Sequence, residues 1–151
     1  MKLQIASHLA IYALLELAAR PERHFSVAEI GEKYNVSSHH LAKVMNVLGR
    51  AKMVRSVRGV GGGYQFAGNV RRVTLLDVIQ QFEDVSGDIS VTGGSSATVA
   101  EEGALREILG EIDNITQATL GSITIATMLK LVDRRRVNSS TAAQPAVLGR
   151  R

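Results

Sequence analysis

Three observations predict a mostly α-helical fold carrying one small β-hairpin. Apolar residues recur at helical spacing in several separate stretches, most of them opened by a capping residue or closed by a breaker. Residues 37–67, SSHHLAKVMNVLGRAKMVRSVRGVGGGYQFA, pass from a polar helix start through a one-sided helix into two short segments around a glycine-rich turn. A later stretch, set off by a Ser/Thr/Gly-rich segment, repeats the amphipathic pattern over a greater length. A short helix, a turn, a second helix with a polar outer face and then a hairpin is the grammar of a winged helix-turn-helix domain. The late helix adds a C-terminal element suited to dimerisation.

Residues 3–20 carry Ile5, Leu9, Ile11, Tyr12, Leu15 and Ala18 near helical spacing, and Pro21 stops that helix. The stretch has the apolar content of a signal peptide. However, His8 and Glu16 interrupt it, and Arg20-Pro21 stands where a small-residue cleavage site belongs, so it is read as a structural helix. Ser26 and Glu29 form a capping box for a short second helix, with Val27 and Ile30 inward and an end near Tyr34. Asn35-Val36 makes the turn, and Ser37 or Ser38 caps the third helix. Leu41, Val44, Met45 and Leu48 form its apolar stripe, with His39, Lys43, Asn46 and Arg50 on the opposite face. Residues 53–57 and 64–66 can be strands, and the glycines between them tolerate positive φ. Thr74 and Asp77 form a second capping box, opening a helix with Leu75, Val78, Ile79 and Phe82 on one side.

From residue 85 to about 100 the composition shifts to Ser, Thr and Gly, which reads as a loop. Leu105, Ile108, Leu109, Ile112, Ile115, Thr119 and Leu120 then trace a long amphipathic helix, and Ile125, Leu129 and Val132 a short closing one. The expected divisions are a winged helix-turn-helix DNA-binding domain over 1–84, a flexible sensor-type loop over 85–103, dimerisation and closing helices over 104–132, and a disordered tail over 133–151. A long helix set apart by a loop needs an apolar surface to lie on. A second copy of itself provides one through two-fold symmetry; folding back on its own domain is the plainer alternative.

Composition narrows the function. The 151 residues are 45% hydrophobic and 21% charged, which suits a folded domain rather than a disordered chain. With no cysteine there are no disulfides, no thiolate metal ligands and no cysteine nucleophile. No apolar run approaches the ~18 residues of a membrane span, so a cytoplasmic protein is expected. The net charge of +4 is unevenly spread. Residues 33–76 hold eight Lys or Arg and no acid, whereas residues 77–113 hold nine acids against Arg106 alone. A field of one sign attracts a polyanion, so the expected partner is double-stranded DNA.

These residues carry a resemblance. The opening MKL helix, VSSHHLAKVMNVLGRAKMVRSVRG, GGGYQFA, VTLLDVIQQFED and LGSITIATMLKLV are together similar to the bacterial IscR/NsrR family of winged-helix transcription regulators, the Rrf-type regulators. The likeness covers residues 1 to about 132. Its most specific part is Leu-x-Lys-Val-x-x-x-Leu running into Val-Arg-Gly-x-Gly-Gly-Gly-Tyr. It implies a homodimer with a swapped or cross-packed long helix that binds promoter operators at the nucleoid, usually as a repressor. Members of the family often hold an iron–sulfur cluster on three cysteines before the dimerisation helix. Those positions would fall near Val91, Ala97 and Gly103, none of them cysteine, so no cofactor is expected.

DNA contacts are expected from Ser37, Ser38, His39, His40 and Lys43 at the start of the third helix, where free amides favour an anion. Asn46 and Arg50 continue that face. Arg55 and Arg58 flank the wing beside Gly61, Gly62 and Gly63, placed for the narrow minor groove. The plainer readings are a serine that only caps, histidines and arginines that are only solvated, and a Tyr64 that packs the wing. The glycines are not followed by Gly-Lys-Ser/Thr, so no nucleotide loop is expected. Leu105, Ile108, Leu109, Ile112, Ile115 and Leu120 are the expected dimer contacts. His8 is read as a buried, hydrogen-bonded histidine; the resemblance makes an effector contact its alternative. The four histidines lack zinc spacing and no catalytic set emerges, so neither a metal nor enzyme activity is expected. Two other functions compete with the regulator. One is a winged-helix protein-interaction scaffold, against which the acid-free window argues; the other is a small-molecule-responsive sensor of the same fold, whose effector is unknown.

Overall fold

The computed structural model describes residues 2–85 and 99–142. The order is α1 (Ile5–Ala19), α2 (Val27–Tyr34), α3 (Ser38–Arg50), β1 (Val54–Val57), β2 (Gly63–Phe66), α4 (Leu75–Ile79), α5 (Val99–Ser122) and α6 (Ile125–Ala142). This is the expected mostly helical fold with a two-stranded antiparallel wing.

The first helix is the hub. It packs against α3, α4, α6 and β2, which explains a sequence that is apolar around much of its circumference. Leu14 and Leu17 are fully buried, as are Met45 and Leu48 of α3, Ile79 of α4 and Ile125 of α6. Burying each side chain of this size is worth roughly 1.5–3 kcal/mol. The exposed face of α1 differs from the expected one. Ile5, His8 and Tyr12 follow i, i+3, i+7 spacing and all point outward. Tyr12 covers one ring face by stacking on Tyr34, with centroids 5.3 Å apart.

Local chemistry sets the helix-turn-helix. Ser26 Oγ accepts from the Glu29 amide at 3.1 Å while the Glu29 carboxylate accepts from the Ser26 amide at 2.8 Å, the expected capping box. Asn35 then turns the chain with φ of 53°, and the Val36 amide donates to the Gly31 carbonyl at 2.8 Å. The cap of α3 is Ser37, whose hydroxyl accepts from the His40 amide at 3.2 Å. In the wing, Val54 pairs with Phe66, Arg55 with Gln65, Ser56 with Tyr64 and Val57 with Gly63. Phe25 bridges to Tyr64 on the other side of β2 through two backbone bonds of 2.9 and 2.8 Å, tying the wing to the α1–α2 connection.

The C-terminal helices differ in extent from expectation. The Thr74–Asp77 capping box forms as read, but α5 already begins at Val99, inside the segment expected to be a loop. Glu101 and Glu102 lie in its first turn, where the helix dipole favours acids. The closing helix is not short. It runs to Ala142, through residues expected to be a tail, and the Ser139 and Ser140 hydroxyls in that stretch donate to the Arg135 and Arg136 carbonyls. The rest of the expected loop and tail lies outside the described residues. Backbone bonds clasp the α5–α6 corner to the chain before α4: Leu75 to Ile123 at 2.8 Å, Ile125 to Val73 at 2.9 Å and Ala126 to Val70 at 2.8 Å.

Candidate nucleic-acid interface

The outer face of α3 is open. Ser37, Ser38, His39, His40, Lys43, Asn46 and Arg50 are all exposed, while Leu41, Val44, Met45 and Leu48 hold the helix to the core. His39, Lys43, Asn46 and Arg50 follow i, i+4, i+7, i+11 and form one stripe. No acid occupies the first turn, so no carboxylate offsets the positive end of the dipole there. Ser37 is engaged as the cap, which is the plainer of its two readings.

Basic character survives folding. Among the described residues Lys33 is the one member of the acid-free window in an ion pair; it bonds Glu16, which Tyr34 Oη also approaches at 3.4 Å. Burial, and after it the Glu16 charge, push the Tyr34 hydroxyl above its usual pKa, so it stays a neutral donor. Lys33 therefore leaves the set of open cations. Lys43, Arg50, Lys52, Arg58, Arg71 and Arg72 are exposed and have no carboxylate within ion-pair distance among the described residues. Arg55 is exposed too, but its guanidinium lies against Gln65, with Nε and Nη2 donating to Oε1 at 3.0 and 2.7 Å.

The wing glycines have structural reasons of their own. Gly61 sits at φ of 73°, a conformation costly for other residues. A Cβ at Gly63 would lie 2.4 Å from the Phe25 carbonyl oxygen, so the close approach of the bridge requires its absence. Gly62 lies in the same turn, donating to the Gly59 carbonyl at 3.0 Å. Two features of this surface were missed in the sequence. Val60, fully exposed at the wing tip, carries no polar signal, and Lys52 takes a left-handed φ of 58° in the tight turn between α3 and β1. Arg71 and Arg72 raised the charge count but were not read as site residues.

Away from this face, α5 buries none of its residues. Leu105, Ile108, Ile112 and Ile115 are exposed at i, i+3, i+7, i+10, the spacing of a heptad seam. Leu109 and Leu120 are half-buried, and Leu120 packs on its own core. A cleft of about 350 Å³ lies where α5 passes the start of α1 and the end of α4, lined by Lys2, Ile79, Glu83, Asp84, Ile112 and Asp113 among others. His8 does not line it. His8 is exposed, 6.3 Å from the Tyr12 ring, which corrects the expectation of a buried histidine: three or four residues along from Ile5 and Tyr12, it shares their outward face.

The model of a family described as Rrf2, iron-dependent transcriptional regulator, matches residues 3–131. The chain belongs to the Rrf2 family of transcriptional regulators. Family members are regulators rather than enzymes. BadM of Rhodopseudomonas palustris, named as an HTH-type transcriptional regulator, is 47% identical over 136 residues, covering 90% of this chain and 86% of BadM. Among solved structures, CymR (YrzC), the global cysteine regulator of B. subtilis, aligns with a TM-score of 0.72 at 26% identity over 87% of this chain and 98% of CymR. IscR of T. potens aligns with a TM-score of 0.63 at 26% identity, covering 96% and 93% of the two chains. No described helix of this Rrf2 chain is long and apolar enough to cross a membrane. Among its described residues no group of three or more His, Asp or Glu could hold a metal ion.

Proposed function

We propose that this Rrf2-family chain is a homodimeric, sequence-specific DNA-binding regulator, acting as a repressor at promoter operators in the bacterial cytoplasm. The observation that carries the reading is the α3 face from Ser37 to Arg50, exposed and bordered by a wing whose arginines have no carboxylate within ion-pair distance among the described residues. Hydroxyl and imidazole groups at the start of α3 suit base edges, whereas Lys43 and Arg50 suit phosphates. The heptad-spaced apolar seam on α5 supports pairing with a second copy, which presents two recognition helices to successive turns of a duplex. The family description names iron, but a cluster of the ordinary type needs thiolates and this chain has no cysteine. The residues present do not fit such a cluster, so the regulator works without one.

If Lys43, Arg50, Arg55 and Arg58 of each copy take one phosphate, a dimer releases counterions from about eight, giving a slope of log K against log salt near about −7. Lys43→Ala is expected to shallow that slope by about two units, one per copy, on any duplex, while His39→Ala alters the base preference of fragments selected from random DNA. A Lys43→Ala protein whose affinity and slope match the wild type on both random and selected duplexes would remove the placement of α3 on DNA.

A further inference from the structure

Gln65 is one of three buried polar or charged residues among those described, and it stands directly opposite Arg55 in the wing. Its carbonyl oxygen accepts from Arg55 Nε at 3.0 Å and from Nη2 at 2.7 Å, and its amide nitrogen donates to the Pro21 carbonyl. The orientation of the amide follows from its neighbours. A flipped group would turn N–H bonds toward guanidinium donors and an oxygen toward the Pro21 oxygen, so both contacts would become repulsive. One end of Gln65 is therefore anchored to the α1–α2 connection and the other holds the arginine.

The choice of an amide matters. Two other cations of this domain, Arg23 and Lys33, are held by carboxylates, Glu29 and Glu16, which cancel their charge. Gln65 fixes a guanidinium without neutralising it. Arginine has five N–H donors, and two are spent on Gln65, so three are left for another partner. That is the requirement for a cation that must meet a phosphate in one geometry: its rotamer freedom is lost before binding rather than during it. Arg58, at the turn, has no such brace among the described contacts.

We propose that Gln65 is a positioning residue of the DNA interface, orienting Arg55 toward a backbone phosphate while leaving its charge intact. The proposal rests on the reading that the wing lies on DNA. It predicts different signatures for two substitutions of one residue. Gln65→Glu keeps a partner for Arg55 but neutralises it; Gln65→Met keeps the charge but releases the side chain.

The test uses the full chain and a random-sequence 30-base-pair duplex, with affinity measured across a salt series for wild type, Gln65→Glu, Gln65→Met, Arg55→Ala and the Arg55→Ala/Gln65→Met double variant. Thermal melts establish that each is folded. Arg55→Ala and Gln65→Glu are expected to shallow the salt slope alike, by about one unit per copy. Gln65→Met is expected to weaken binding several-fold at nearly unchanged slope, and to cost nothing further once Arg55 is alanine. The proposal is overturned if Gln65→Met weakens binding equally in both backgrounds, or if Gln65→Glu keeps the wild-type slope. Should Gln65→Met fail to fold, the Gln65→Glu slope decides alone. Additive variants beside a responsive Lys43→Ala would sink this inference and leave the DNA reading standing; a wild type with no salt-dependent duplex binding would sink both.

Discussion

Replacing Ile115 by Asp puts a carboxylate at the C-terminal end of the apolar seam on α5. Ile115 is 65% exposed in one chain, and Leu105, Ile108 and Ile112 are 48%, 60% and 52% exposed. Full burial of such a side chain is worth roughly 1.5–3 kcal/mol, so covering the exposed part of Ile115 contributes about 1–2 kcal/mol per copy and about 2–4 kcal/mol per symmetric pair. Because a two-fold interface doubles every change, losing that burial alone raises the dissociation constant about thirty- to a thousandfold. Desolvating two facing carboxylates adds to the penalty. Sedimentation velocity over a concentration series reads the effect directly: the wild type sediments as a dimer where the variant sediments as a monomer. The N-terminal domain is expected to survive the change, because Ile115 is exposed and does not pack on its core, so the melting of the variant tracks the monomer's own core. An Ile115→Asp protein with the dimer constant of the wild type would refute the reasoning, as would a wild type that is monomeric at tens of micromolar.

Two further outcomes follow from the wing and the first cap. Gly63→Ala drives a Cβ into the Phe25 carbonyl and breaks the two-bond bridge to Tyr64; the expected loss is about 2–3 kcal/mol, measured by urea unfolding, and an unchanged midpoint would mean the bridge is not needed. The Glu29 carboxyl is held below its usual pKa, first by the Ser26 amide and also by Arg23. A group depressed on folding stabilises above its unfolded pKa, and that contribution disappears as pH falls through the folded value. Glu29→Gln is therefore expected to lower the melting temperature at neutral pH and to flatten the acid limb of its pH dependence; a limb as steep as that of the wild type would contradict this.

Much of the domain was legible because its signals are local. A capping box needs only residues three apart, and Ser26–Glu29 and Thr74–Asp77 formed as read. The α3 stripe was equally readable, since polar and apolar residues alternate there with one period. By contrast, α1 is apolar nearly all round, so spacing could not tell that Ile5 and Tyr12 face out. The ends of α5 and α6 were hidden for the opposite reason: exposed helices bury little, and burial was the signal being read. Leu120 fitted the seam by spacing yet packs on its own core, because the corner beside it is clasped to residues 70–75. Gln65 showed nothing in the sequence, as its role depends on a partner ten residues away across a hairpin and on the Pro21 carbonyl.

That clasp has a mechanical consequence. A 24-residue helix is about 36 Å long, and its near end is stitched by main-chain bonds to the segment that leaves the hairpin. Helix and segment thus move as one lever with little slack at the joint. In the proposed dimer, where two such levers pair through α5, the angle at which the rods cross would set how far apart the two hairpins stand, so a small rotation at the crossing would be read out as a change in span at the far ends.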